Sequence, residues 1–462
     1  MVRLVRLLTL MLLVALALPV AASAAPRMWM GFQDDLYFRW LPEREHMRDV
    51  ARDANATVVK TTVGWYSIAE QRPANAADPF DPAYNWNDVD EFVREAQDRD
   101  LEVLLTVYGT PSWAGPARNR LPSRLADLTD FTRAMATRYS GRYPSFPFVR
   151  FYSVWNEPNL NLFLSPQYVG SRSVGPALYA QLFRAAYTGF KLGSPTAQVA
   201  LGETSARKVS TSPSHAPARF AELLSKVRPK LRFDAYAHHP YGNPANQPPT
   251  KKVAWPNVSM SSLTRFGTSL DKWFGRKNIP LWLTEYGHET QPEDPVGISY
   301  AQQASYMQTA FAMAKAQPRV QMLIWFVLRD EPRALWQSGL MTLDGLAKPA
   351  FARFSALAKP LDARNQILTV KAGRANPAIR IPTSQLTYRT GVGAKLGVVY
   401  EVFSGGRRIA NDTPEAFTAR DGWITIRPRF TPARGRTYRL TVDAHDINRN
   451  HAIRTVTLVG VK

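Results

Sequence analysis

The 462-residue chain contains no cysteine, which removes disulfides, thiolate metal sites and a cysteine nucleophile together. Histidine is scarce, with seven residues and no His-Glu-x-x-His spacing, so the adjacent His238 and His239 give little ground for a metal. No Gly-x-Ser-x-Gly elbow is present, which argues against a Ser-His-Asp hydrolase. A Gly-rich phosphate fingerprint is also missing: Gly31 leads into Phe32, Gln33, Asp34 and Asp35, which argues against a dinucleotide-binding doubly wound sheet. Beyond the N-terminus no apolar run is long enough to span a bilayer, and neither an internal repeat nor an extended low-complexity segment appears. Acidic residues are the minority, 37 against 58 Lys and Arg, for a formal net charge of +21.

What is present begins with an export pattern. Arg3 and Arg6 precede an apolar run from Leu7 to Val20, and Ala22-Ser23-Ala24 then supplies small residues for cleavage before Ala25. Residues 1–24 therefore read as a signal peptide and the protein as secreted. The alternative is a retained anchor, for which the run is shorter than the roughly 20 residues that a spanning helix needs. A chain of this size buries a substantial core without disulfides, so export and the lack of cysteine are compatible.

The positive charge is unevenly spread. Residues 361–462 hold 17 Lys and Arg against 7 Asp and Glu. Such a surface is drawn to acidic polysaccharide, anionic cell wall or lipid, although an arginine-rich composition explains the count equally well. No nucleic-acid motif accompanies it, so nucleic acid is not an expected partner.

From Arg27 to about Pro360, short β-branched runs alternate with amphipathic stretches, the pattern of βα units on a parallel sheet. The candidate strands are 28–32, 57–63, 102–107, 148–155, 198–201, 233–238, 281–286 and 321–327. Helical spacing marks segments such as 86–98, 125–139, 178–191, 220–227, 263–274 and 300–316. Eight strands in this length predict a (β/α)8 barrel over residues 25–360. After Leu361, alternating runs at 378–381, 395–403, 423–428, 437–442 and 453–459 are separated by turn residues. They predict a basic antiparallel β-sandwich over residues 361–462.

In such a barrel the C-terminal strand ends hold the active site. Glu157 follows the fourth predicted strand and Glu285 closes the seventh, each ending an apolar run with a carboxylate. That placement is costly unless the group serves a cleft or an ion pair. Two carboxyls across one barrel mouth suit retaining glycoside hydrolysis, in which one protonates the leaving oxygen and the other attacks the anomeric carbon. Trp155-Asn156-Glu157-Pro158-Asn159 and Thr284-Glu285-Tyr286-Gly287 also resemble the acid/base and nucleophile signatures of clan A glycoside hydrolases, with families 39 and 5 the nearest.

The resemblance extends over most of Met28 to Phe354 and implies further roles. Asn156 would bond a sugar 2-hydroxyl. His239 and Tyr241 match a His-x-Tyr whose tyrosine supports the nucleophile, and Trp325 matches an eighth-strand tryptophan that floors the subsite of the attacked sugar. Lys60 departs from the pattern, which has arginine there; it keeps the charge but loses the forked geometry. Trp65, Tyr108 and Trp113 are candidates for stacking on sugar or for the core, and Trp155, Trp282 and Phe326 are assigned to packing. Glu203 is open between the cleft and a structural role.

The expectation is a secreted, monomeric retaining glycosidase acting without metal or organic cofactor on an extracellular or cell-surface polysaccharide, an acidic glycan being attractive. The basic C-terminal domain would associate with the cell wall or surface. A non-catalytic glycan-binding or adhesion protein on the same scaffold, and a transglycosylase, are the alternatives.

Overall fold

The computed structural model describes residues 28–143, 146, 148–208, 212–332, 336–362, 365, 367–382, 395–412, 417–418, 423–445 and 451–462. The predicted signal peptide lies outside the described residues.

Eight parallel strands close a barrel: β1 (Trp29–Gln33), β2 (Val58–Gly64), β3 (Glu102–Tyr108), β4 (Phe151–Val154), β5 (Gln198–Thr204), β6 (Ala235–His238), β7 (Leu281–Tyr286) and β8 (Val320–Phe326). Each hydrogen-bonds to its sequence neighbours, and β1 meets β8 to close the ring. The main helices around it are α1 (Arg44–Asp53), α2 (Asn87–Asp98), α3 (Leu125–Arg138), α4 (Gly175–Gly193), α5 (Pro217–Ser225), α6 (Leu263–Phe274), α7 (Tyr300–Lys315) and α8 (Pro349–Ala358). The (β/α)8 prediction holds.

The two-residue period of the strands sorts the core into two populations. Trp29, Val58, Leu104, Phe151, Ala200, Ala235, Ala237, Trp282, Met322 and Ile324 form a separate cluster that plugs the barrel interior. Their neighbours Met30, Val59, Val103, Tyr152, Val199, Tyr236, Leu283 and Leu323 belong to the larger cluster shared with the helices. At Gly31 a Cβ would lie 1.6 Å from the Val58 carbonyl oxygen, so only glycine lets β1 approach β2 there.

Further along, β9 (Ile367–Lys371), β10 (Ile379–Pro382), β11 (Lys395–Ser404), β12 (Arg407–Asp412), β13 (Trp423–Ile426), β14 (Thr437–His445) and β15 (His451–Val461) form separate sheets. One runs in the order β9-β15-β14-β11-β12, and β10 pairs with β13. Ile379 and Ile426 from the small sheet bury against Val398, Val402, Leu440 and Leu458 of the large one, a lopsided sandwich with its own core. One expectation is corrected: β9 joins β15 in parallel, so the sandwich is not wholly antiparallel.

Candidate active site

Three carboxylates and two cations converge inside the barrel's C-terminal half, from within β2 and from the ends of β4, β5, β6 and β7. On each strand the inward column changes from apolar to polar: Val58 is followed by Lys60, Phe151 by Ser153, Ala200 by Glu203, and Trp282 by Thr284.

Backbone strain aims two of the carboxylates. β4 stops at Val154 because Trp155 takes φ 70°, and Glu157 itself has φ 38°; beyond β5's start, Glu203 has φ 50°. Such left-handed conformations cost a non-glycine residue about 1–3 kcal/mol each and persist only where the surroundings over-determine them. Here the Trp155 backbone N–H donates to Val107 O at 2.7 Å and the Glu157 N–H to Glu203 O at 2.9 Å. The Trp155 indole donates to Phe163 O at 2.6 Å, so Trp155 packs and props the turn.

His239 stands between the acids. Its Nδ1 lies 3.0 Å from Glu157 Oε1 and 3.4 Å from Glu285 Oε2, and its Nε2 lies 2.8 Å from Glu203 Oε2. Lys60 is fully buried, and its Nζ donates to Glu203 Oε2 at 3.2 Å, Glu285 Oε1 at 3.2 Å and the Thr284 carbonyl at 3.3 Å. Glu203, also fully buried, accepts from the Thr284 hydroxyl at 2.8 Å. It lies beneath the cleft and does not line it.

The charges sustain one another. Burial pushes the Glu203 carboxyl up, but Lys60 and His239 outweigh it and bring it down to about 2. Burial likewise works against the His239 imidazolium; the Glu285 charge and the bonds to Glu157 and Glu203 prevail and raise it to about 9. For Lys60 the desolvation cost is overcome by Glu203 and Glu285, and its ammonium is held above its ordinary range. His238, by contrast, faces Thr204 and the Val258 carbonyl, and burial pushes it down to about 3.

A cavity of about 550 Å³ opens above this cluster. Asn156, Glu157, Glu285 and Tyr241 line it, as do Tyr108, Trp40, Phe326, Trp336, Asp35 and Arg207. Tyr241 stacks on Tyr286 with ring centroids 6.0 Å apart, and burial of its hydroxyl together with Glu285 and Glu157 pushes its proton affinity up. Lys60 is not a wall residue; it holds Glu285 from below.

Two predicted sugar contacts are corrected. Trp325 is 3% exposed, faces the helix layer beside Leu323, and donates its indole N–H to Ser338 O at 2.8 Å. Its neighbour Phe326, assigned to packing from the sequence, shares the inward column of Met322 and Ile324 and lines the cavity. Trp113 donates to Ala69 O at 2.7 Å, packs edge-on against the buried Trp65 and carries Arg72 over its ring, away from the cavity. Sequence reasoning missed Trp40, the last residue of a single helical turn at Leu36–Trp40, and Trp336 and Arg207, which stand on loops; none lies in a stretch long enough for periodicity to mark orientation. The β8 alternation could have identified Phe326.

Fold and site together define a parallel (β/α)8 protein with a carboxylate pair at the C-terminal mouth. A model of the cellulases, glycosyl hydrolase family 5, matches residues 20–163. Among solved structures, a glucosidase from Croceicoccus marinus superposes with TM-score 0.57 at 14% identity, over 90% of this chain and 96% of that one. A family 39 glycoside hydrolase from Bacteroides cellulosilyticus gives 0.51 at 15%, over 87% and 79%. A family 5, subfamily 18 protein from Streptomyces cattleya, solved with GlcNAc, gives 0.52 at 14%, over 76% and 86%. No curated protein matches the chain. The resemblance to clan A glycoside hydrolases is thus met by a family 5 model over the first part of the barrel and by the fold of family 39 and family 5 structures.

Proposed function

We propose that the protein is a retaining glycoside hydrolase acting on an extracellular or cell-surface polysaccharide, with Glu285 as nucleophile and Glu157 as acid/base. The observation that carries this reading is that Glu157 and Glu285 share one nitrogen, His239 Nδ1, at 3.0 and 3.4 Å. The oxygens concerned are separated by at most the sum of those distances. That is below the roughly 6.5 Å at which the inverting range begins and leaves room for the retaining separation of about 5–5.5 Å.

Lys60 holds Glu285 Oε1, leaving Oε2 to attack the anomeric carbon. As that bond forms, the glycosidic C–O bond breaks and Glu157 gives its proton to the departing oxygen. Negative charge thereby leaves Glu285, which becomes a neutral ester, and the pair of Glu157 and His239 is left with one proton fewer. His239 Nδ1 is within reach of both oxygens throughout, so its favourable interaction is kept as the charge moves. In the second step water attacks the anomeric carbon, Glu157 takes its proton, and the ester bond to Glu285 breaks.

A polymeric substrate is favoured because Trp40, 55% exposed, and Thr62 line both this cavity and a second one of about 390 Å³ lined further by Tyr66, Glu70 and Asp88. An exposed indole between two hollows suits the apolar face of a sugar. The finer reading of an acidic glycan draws on Arg207, the one cationic side chain on the main cavity's wall among the described residues, hydrogen-bonded to the neutral amide of Asn243 at 2.7 Å. Secretion is inferred from the N-terminal segment alone.

The test is a glycan panel with the wild type, Glu157→Ala and Glu285→Ala, with product configuration followed by NMR. Loss of turnover in both variants and a retained anomeric configuration are expected. Wild-type turnover in either variant, or inversion, would refute the assignment. Equal rates on neutral and uronic glycans, insensitive to salt and to Arg207→Ala, would remove the acidic-glycan reading alone.

A further inference from the structure

The assigned chemistry uses Glu157, Glu285, His239 and Lys60, yet the cluster is built around a third carboxylate that touches no cavity. One oxygen, Glu203 Oε2, receives Lys60 Nζ at 3.2 Å, His239 Nε2 at 2.8 Å and the Thr284 hydroxyl at 2.8 Å. An oxygen with three donors has no place for a proton of its own, and against burial the Lys60 and His239 charges hold the whole group well below the usual carboxylate range, so Glu203 is a carboxylate and His239 Nε2 carries a proton. Burying such a carboxylate is costly, and removing either cation would leave it uncompensated.

This settles the geometry of the proton next to Glu157. With Nε2–H committed to Glu203, His239 has only Nδ1 left to gain or lose a proton, and Nδ1 faces Glu157 Oε1 at 3.0 Å. Once protonated Glu157 has given its proton to the leaving oxygen, two arrangements share the same heavy-atom positions: an imidazolium donating to ionised Glu157, or neutral His239 accepting from reprotonated Glu157. They differ by the transfer of one proton along that hydrogen bond.

We propose that Glu203 is a positioning residue of this site: it fixes the tautomer and orientation of His239, so that His239 Nδ1 exchanges the catalytic proton with Glu157. Within the reading of Glu157 as acid/base, His239 Nδ1–H passes its proton to Glu157 Oε1 as Glu157 releases its own to the leaving oxygen. The reverse transfer follows when Glu157 takes a proton from water. No proton is created or lost, and none has to enter from solvent during glycosylation. The charged and titratable groups facing His239 are Glu157 from the β4 end, Glu203 from β5, Glu285 from β7, Lys60 from β2 and the adjacent His238. The raised affinity of His239 for its proton agrees with this layout.

The experiment uses the full chain. Imidazole NMR on the wild type should find His239 protonated through neutral pH with Nε2–H retained on titration; a wild-type His239 that is neutral at pH 7 with its proton on Nδ1 would overturn the proposal without any variant. In Glu203→Gln the His239 titration should fall by about one pH unit or more. The alkaline limb of kcat/KM should fall with it, and kcat should drop while KM stays near wild type. Glu203→Asp should restore part of both. An unchanged titration in Glu203→Gln, or a shifted titration with an unchanged pH profile and kcat, would overturn it. A wild type with no glycosidase activity on any glycan, but with His239 titrating as described, would instead refute the reading of Glu157 as acid/base.

Discussion

The floor and the mouth of the barrel are built on the same strands and obey opposite rules. At the floor, Phe151 meets Trp29 edge-on at 5.7 Å and Trp282 at 5.1 Å in an apolar cluster, and Arg150, whose guanidinium lies against the Trp29 and Phe151 rings, is paired with Glu102 at 3.1 Å. Two positions along, the inward side chains are Lys60, Ser153 and Thr284, with Glu203 and His239 beside them. Apolar packing supplies most of what holds the floor. Charges that cancel hold the mouth, at a cost in desolvation and in left-handed backbone at Trp155, Glu157 and Glu203. Stability and chemistry are thus layered along each strand, and the two layers should fail differently.

The sharpest break comes from Glu285→Ala. It should lower kcat ~10^4-fold or more, as loss of a covalent nucleophile does, while leaving the melting temperature within a few degrees of wild type. Calorimetry alongside single-turnover assays checks both halves. Trp282→Ala should do the converse: about 3–5 kcal/mol lost in denaturant unfolding, from a large cavity in the barrel plug, with kcat of the folded protein at the wild-type level. A Trp282→Ala variant that folded normally but lost turnover would erase the distinction between floor and mouth.

pH separates the layers next. His239 is raised to about 9 from its ordinary 6.5, so its contribution is complete below about 6.5 and lost as pH rises through 9. Glu203 is depressed to about 2 from 4.5, so its contribution is complete above about 4.5 and lost as pH falls through 2. Unfolding free energy should therefore peak between those limits and decline by up to a few kcal/mol on the alkaline side. Trp282→Ala should lower the whole curve evenly. Glu203→Gln should flatten both flanks, and a curve that kept its wild-type shape in that variant would show that the mouth is not held by these charges.

The barrel was legible because buried parallel strands are short β-branched runs, and 281–286 is recovered to the residue. Glu157 and Glu285 were legible for a related reason, since a carboxylate closing an apolar run is conspicuous. α1 and α8 were not picked out as helical stretches. What the sequence left open was orientation. Glu203 looks the same whether it lines the cleft or lies under it, and only the three donors around Oε2 decide. The left-handed turn at Trp155 ends β4 at Val154, one residue before the predicted end, because nothing in an aromatic residue's identity announces positive φ, and the strand starts at Phe151 where the sequence placed 148. In the C-terminal sheets, β9 lay outside the predicted runs since its parallel partner, β15, is about 90 residues away in sequence and no local pattern signals such a pairing.

The smallest expected effect tests the orientation that the sequence missed. Trp325 and Phe326 are adjacent, so one faces the helices and the other the cavity. Phe326→Ala should raise KM about tenfold, the equivalent of ~1.4 kcal/mol of lost apolar contact with bound sugar, and leave unfolding near wild type because its side chain already borders a void. Trp325→Ala should leave KM alone and act on stability, since its indole fills the layer between β8 and the Tyr286 and His288 rings and holds the Ser338 carbonyl. Initial-rate kinetics and denaturant titration on the two single variants suffice. A KM rise in Trp325→Ala with none in Phe326→Ala would mean that β8 presents its other face to substrate, and the division between an apolar outer layer and a working inner column would have to be redrawn at that strand.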